Sequence, residues 1–306
     1  MNLKILQFLS DPGLAPLYTP GIAAAFAVAL MGAPLAVLVC LKRMAFIGQG
    51  ISHAAFGGIG IAAVLGLTAT ALADAPAGGL WQFLVVTCFC LGAALSVGFL
   101  ADKTGSREDT VIGIVLVGSM ALGAVLLRYV PAGVEWESLL FGTIYNVTDR
   151  EASISWGAAL ATLGALWCFR RSLLFWAFDE PGASAFGVRA APMKVLLLTL
   201  LAVATVTAMK LAGVVLATAL LVLPGAVALR LSSRLGAVLA LSITAALLGV
   251  ALGVVISFQL DWPPGPAIVL VLILLYALAR LAPRAGVAPR VPSAPAPGPP
   301  PTPAAG

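Results

Sequence analysis

The one histidine of this 306-residue chain, His53, sits in the run Met44-Ala-Phe-Ile-Gly-Gln-Gly-Ile-Ser-His-Ala-Ala-Phe-Gly-Gly-Ile-Gly. Gln49 precedes it by four residues, so on a helix the two side chains share a face. Imidazole accepts borderline divalent metals, but one histidine with one amide makes a poor resting site. Weak binding suits a conduit, from which an ion must also be able to leave. The pattern points to a translocation path on which His53 touches a passing metal ion transiently, with Gln49 and Ser52 beside it. A neutral imidazole hydrogen-bonded across a helix interface is the plainer alternative.

Around that pair Gly50, Ala54 and Gly58 form a ridge of small residues, widened by Gly57 and Gly60, which lets another helix backbone approach closely. Pro224, in Leu221-Val222-Leu223-Pro224-Gly225-Ala226, removes a backbone donor and predicts a kink or an end to its helix. A second constellation lies at 178–188. There Phe178, Asp179, Glu180, Pro181, Ala183 and Gly187 read as a short helix, capped by Asp179, with Pro181 in its first turn and Gly187 at its end. Between two membrane spans such a helix is either a bare surface element or a docking knob for a cytosolic subunit.

No G-x-x-x-x-G-K-[S/T], H-E-x-x-H or G-x-S-x-G occurs, so the chain is expected to be no enzyme and to bind no ATP through a phosphate loop. The four cysteines, Cys40, Cys88, Cys90 and Cys168, fall in apolar runs without metal-ligand spacing. They are expected as buried small apolar side chains. No stably bound cofactor is expected.

The elements that must position these residues are membrane helices. Hydrophobic residues make up 61% of the chain and charged ones 9%, against about a quarter charged in soluble domains. Apolar runs long enough to cross a hydrocarbon core of about 30 Å recur along it, and in lipid they must be helical to satisfy their own backbone groups. Spans are predicted at 17–41, 44–67, 79–101, 110–130, 153–169, 195–211, 213–229, 235–258 and 266–282. The fold class is an all-α polytopic bundle of nine transmembrane helices. The count falls to eight if 195–229 is one element, because Lys210-Leu211-Ala212-Gly213 is its only turn; a re-entrant segment around Pro224 is a further reading. His53, nine residues in from Met44, then lies roughly 14 Å deep, near the midplane.

Nine spans put the two ends on opposite sides. One set of connections, with the C-terminus, holds Lys42, Arg43, Lys103, Arg107, Arg170, Arg171, Arg189, Lys194, Arg230, Arg234, Arg280, Arg284 and Arg290, 13 of the 17 basic residues. By the positive-inside rule that side is cytoplasmic and the N-terminus external. Basic residues scattered in this way mark topology, not a nucleic-acid surface. The organisation is read as a short external segment 1–16, a transmembrane domain 17–282 with a cytoplasmic region at 170–194, and a disordered Pro-rich tail 283–306. Segment 1–16 holds one lysine, Lys4, and no clear cleavage site, so the first apolar run is read as a retained span.

At these residues the chain resembles the metal-type ABC permease family, the subunits that import zinc, manganese or iron(II). The turn Lys42-Arg43-Met44-Ala45 and the block Gly48-Gln49-Gly50-Ile51-Ser52-His53-Ala54 are similar to the family's arginine-rich turn and Gly-Asp-Ala-(Ile/Leu)-Ser-His-Ala block. Glu108 to Ile114, with Ala121-Leu122-Gly123 following, resembles the start of its fourth span, and residues 140–144 its external Leu-Phe-Gly-Ser segment. Phe178-Asp179-Glu180, Ala183 and Gly187 match its cytoplasmic coupling region, and 213–228 with Pro224 resembles the span after it.

The resemblance implies a type II ABC importer-like fold in the bacterial plasma (inner) membrane and a set of partners. These are a cytosolic ABC ATPase dimer docking at about 178–188, which binds the ATP, an external metal-binding receptor protein, and a second copy of this subunit around a shared path. The family carries Asp and His in the second span as metal-path residues; the His maps to His53, but the Asp position is Gln49. Loss of that carboxylate removes a charge that favours a dication at low dielectric, which widens the implied cargo to a metal chelate. Two rivals explain less. A secondary transporter needs intramembrane carboxylates or paired charges, and the predicted span centres contain none. A membrane assembly protein leaves the His–Gln stripe and the capped helix without a purpose.

Overall fold

The computed structural model describes residues 15–67, 78–104, 108–129 and 147–282, and every regular element among them is helical. In chain order these are α1 (Ala15–Leu41), α2 (Ala45–Val64), α3 (Gly78–Thr104), α4 (Glu108–Leu127), α5 (Asp149–Phe178), α6 (Glu180–Ala185), α7 (Ala190–Leu220), α8 (Leu223–Leu231), α9 (Leu235–Leu260) and α10 (Pro264–Leu281). Among the described residues nine stretches are long and apolar enough to cross a membrane; two of them, Ala190–Met209 and Gly213–Leu231, divide α7 and α8 between them. The tail at 283–306, the segment at 140–144 and nearly all of 1–16 lie outside the described residues.

The division of α7 follows from its contacts. Near its start, Lys194 Nζ donates to the Gly98 carbonyl at 3.4 Å. Further along, Thr207 and Leu211 line a small cavity with Phe83 of α3 and Glu151 of α5, at the opposite end of the bundle. A straight continuation would carry residue 220 well beyond that end. Instead a Cβ on Gly32 would lie 3.4 Å from the Leu220 oxygen, and one on Gly48 3.5 Å from Leu221 Cδ1. The chain has turned back, and Gly213, at φ 79, is where it turns. Glycine adopts that backbone without strain, and β-branched residues do not. The predicted turn at 210–213 therefore separates two spans within Ala190–Leu220.

The second of these spans is itself interrupted. α7 ends at Leu220, and α8 begins at Leu223 with Pro224 in its first turn. Proline is tolerated there because the first-turn N–H has no intrahelical partner, so Pro224 stands at the start of the helix that follows the break.

Packing sorts the helices into two groups. α2, α3 and α4 pack on one another, while α1 packs with α5, α8 and α9, and α10 rests on α8 and α9; α7 touches both groups. α1 and α2, though consecutive, scarcely meet. Without a hydrophobic drive between helices in lipid, close approach and buried polar bonds hold such groups. Ser242 shows the second device: fully buried on α9, it donates to the Ala33 carbonyl of α1 at 2.7 Å.

Two expectations need correction. The fifth span was expected over 153–169, but α5 continues to Phe178, because Arg170 and Arg171 are good helix formers and nothing breaks the helix before Asp179. The cysteines are not uniformly buried: Cys90 is, Cys40 is half-buried, and Cys88 and Cys168 are exposed on the outer surface of the bundle. A thiol is apolar enough to stand against hydrocarbon, so an apolar run does not force it inward.

Candidate translocation path and docking helix

α2 is buried along most of its circumference, yet it leaves one stripe open. Phe46 and Gln49 are exposed and His53 is half-buried, at spacings of three and four residues that keep them on one face. His53 Nδ1 lies 2.9 Å from the Gln49 carbonyl oxygen, and its ring is 6.3 Å from that of Phe56. Ser52 does not join the stripe. It is fully buried, with Oγ donating to the same Gln49 carbonyl at 3.0 Å, because one residue along a helix turns the side chain by about 100°. Among the described residues no three His, Cys, Asp or Glu side chains come together. The open face of α2 thus offers one imidazole and one amide, with no carboxylate among them.

The small residues occupy the other faces. A Cβ on Gly50 would lie 2.8 Å from Ile112 of α4, and one on Gly58 3.0 Å from the Val86 backbone of α3. At Gly57 it would meet the Phe89 ring at 2.6 Å, and at Gly60 the backbone of Gly123 at 3.1 Å. Ala54 is fully buried between them. The ridge therefore meets two helices, α3 and α4, and their close approach aims the Gln49–His53 face away from both.

The helical ends near Lys42, Arg43, Arg170, Arg189, Lys194, Arg230 and Arg280 form the basic end of the bundle, and α6 stands there. Asp179 caps it, Oδ1 accepting from the Gly182 N–H at 3.0 Å, which contributes about 1 kcal/mol. Ala183 is fully buried beneath it, and Gly187, at φ 83, ends the turn. Glu180 is 2.7 Å from Lys42 Nζ. Phe178 is among the residues expected in the docking helix; Phe186, and the aromatic surface the two present together, were not singled out. Phe178 is 61% and Phe186 81% exposed, and the Phe186 ring lies 5.8 Å from that of Phe175. The signal was available in the dense Phe175-Trp176-Ala177-Phe178 at the end of an otherwise polar stretch.

Residues 15–282 match the ABC 3 transport family. The manganese transport system membrane protein MntB of Synechocystis is 32% identical over 262 residues, 85% of this chain and 81% of that protein. The chelated iron transport system membrane protein YfeD of Yersinia pestis is 29% identical over 286 residues, 92% of this chain and 90% of that one. Among solved structures, PsaBC from Streptococcus pneumoniae in complex with Fab superposes with a TM-score of 0.74 at 27% identity, covering 90% of this chain and 94% of that one. Nine membrane-spanning stretches among the described residues, together with a family match that runs from α1 through α10, make this chain a multi-pass membrane permease that belongs to the ABC 3 transport family.

Proposed function

We propose that the chain is the metal-translocating subunit of an ATP-driven importer in the bacterial plasma membrane, working as a homodimer with an ATPase pair on its cytoplasmic side and a metal-binding receptor outside. The observation that carries this reading is the open stripe of α2. Gln49 is exposed and His53 half-buried on one face of a helix whose other faces are largely enclosed, and polar side chains at that depth face a pathway or a partner, not lipid. A second copy set against the stripe encloses a polar path between two imidazoles. His53 passes the ion by transient ligation, and Gln49 lines the same face.

The basic end is the cytoplasmic one by the positive-inside rule, which puts the N-terminus outside and the C-terminus inside. The permease domain is 17–282, and its coupling region, 170–194, presents Phe178, Asp179, Glu180, Ala183 and Gly187 to the ATPase. The chain breaks no bond; the partner binds and hydrolyses ATP. Relatives named for manganese and for chelated iron support manganese(II) or iron, free or chelated, as cargo.

The test is uptake of radiolabelled manganese, iron(II) and zinc by proteoliposomes that hold this subunit with its ATPase and receptor. ATP-dependent accumulation of one metal, lost in His53→Ala at normal assembly, is the expected result. Exclusion of all three by a complex that still hydrolyses ATP overturns the metal assignment.

A further inference from the structure

α1 and α2 scarcely touch, while α2 packs on α3, α4 and α7, so the turn Lys42-Arg43-Met44 is the direct connection between α1 and α2. Arg43 sits at φ 58, a region that few non-glycine residues adopt without support from their surroundings. Lys42 supplies an anchor to a distant part of the chain. Its Nζ is 2.7 Å from Glu180 Oε2, 3.4 Å from the Trp176 carbonyl oxygen and 3.9 Å from the centre of the Trp176 ring. An isolated surface ion pair is worth little, and Glu180 is 49% exposed, but this ammonium, only 14% exposed, also meets the carbonyl and the aromatic face of Trp176 on α5. The receiving side is firm, because Trp176 and Ala183 are both buried.

We propose that Lys42 is the positioning residue that ties the docking helix α6 to the path helix α2. A displacement of α6 by the ATPase reaches the first turn of α2 through the ammonium, and with it Gln49 and His53. The tie rests on the importer reading above. Lys42 lies outside the Gln49–His53 stripe, and its contacts are with Glu180 and Trp176, not with Phe178 or Phe186.

The experiment uses the assembled complex in proteoliposomes, with manganese(II) as the probe, and reads manganese carried per ATP hydrolysed. Lys42→Met is expected to lower that ratio about ten-fold, within the usual span of coupling free energies, while the ATPase still co-purifies. Lys42→Arg keeps a cation that Trp176 accepts over its ring, and is expected to stay within about three-fold of the native ratio. Glu180→Gln added to Lys42→Met is expected to lower the ratio no further, since the carboxylate acts through the ammonium.

An unaltered ratio in Lys42→Met overturns the tie, as does a double variant in which the two losses simply add. Should Lys42→Met fail to assemble, Lys42→Arg and Glu180→Gln decide: a ratio kept in the first and lost in the second supports the tie, and any other pattern overturns it. A native complex that carries no metal counts against the importer reading and the tie with it. Native uptake beside an unaltered Lys42→Met ratio counts against the tie alone.

Discussion

His53 Nδ1 lies 2.9 Å from the main-chain oxygen of Gln49, one turn back on the same helix. A carbonyl can only accept, so this bond makes Nδ1 the protonated nitrogen and leaves the imidazole lone pair on Nε2. The same bond fixes the ring, as hydrogen bonds to the far nitrogen do for metal-binding histidines. The Gln49 side chain takes no part in it and is exposed on the same face.

Gln49→Asp should therefore leave the imidazole as it is and add a carboxylate beside it. Attraction for a dication rises at low dielectric, while an ion held more tightly leaves more slowly. The half-saturating manganese concentration for uptake is expected to fall several-fold and the maximal rate to fall with it. Uptake kinetics unchanged in both parameters would mean that this face does not border the path.

Much of this arrangement could be read from the residues in order. Apolar runs locate spans because lipid leaves a backbone no alternative to helix, and Asp179, Pro181 and Gly187 delimit α6 because capping is local chemistry. What joins distant segments was out of reach. Lys42 and Glu180 are separated by 138 positions, and nothing local to either says that they meet. Ser52 is buried away from the Gln49–His53 stripe, and composition alone does not say which face of α2 is covered. That depends on where α3 and α4 pack, which is decided by Gly57, Gly60 and Gly123 acting together.

Gly123 is the tightest point of that packing for which backbone meets backbone. A Cβ there would lie 2.5 Å from the Phe56 carbonyl oxygen and 2.9 Å from the Gly57 nitrogen. Neither atom can swing aside as a side-chain end could, so Gly123→Val must part α2 from α4, at a cost of about 1–3 kcal/mol. Gly118, on the same helix, has nothing within 4 Å of a Cβ, and Gly118→Ala should be neutral. Unfolding in detergent compares the two. Equal stability would show that α2 and α4 do not approach as described.

Phe178 and Phe186 offer a different kind of test, because they are exposed and hold little of the fold together. Phe178→Ser with Phe186→Ser should leave the helical content and the detergent-solubilised size of the subunit unaltered. Affinity for the ATPase should fall about ten-fold or more, as expected when aromatic anchors of an interface are removed. Co-purification at graded salt and protein concentration reads the effect. Native affinity in the double variant would place the ATPase contact elsewhere.

The reversal inside α7 makes the sharpest demand on a single residue. Gly213 adopts φ 79 between Leu211 and Val214, both buried, so the turn cannot relax outward. A β-branched residue in that conformation is strained by about 1–3 kcal/mol, whereas asparagine tolerates left-handed backbone. Gly213→Val is therefore expected to destabilise the subunit in detergent, and Gly213→Asn to recover most of the loss. Because the two substitutions differ little in volume but strongly in tolerance of positive φ, recovery by Asn identifies the backbone as the cause. An equal loss in both would trace it to crowding at the turn, and no loss in either would mean that the two spans are not joined through left-handed geometry at Gly213.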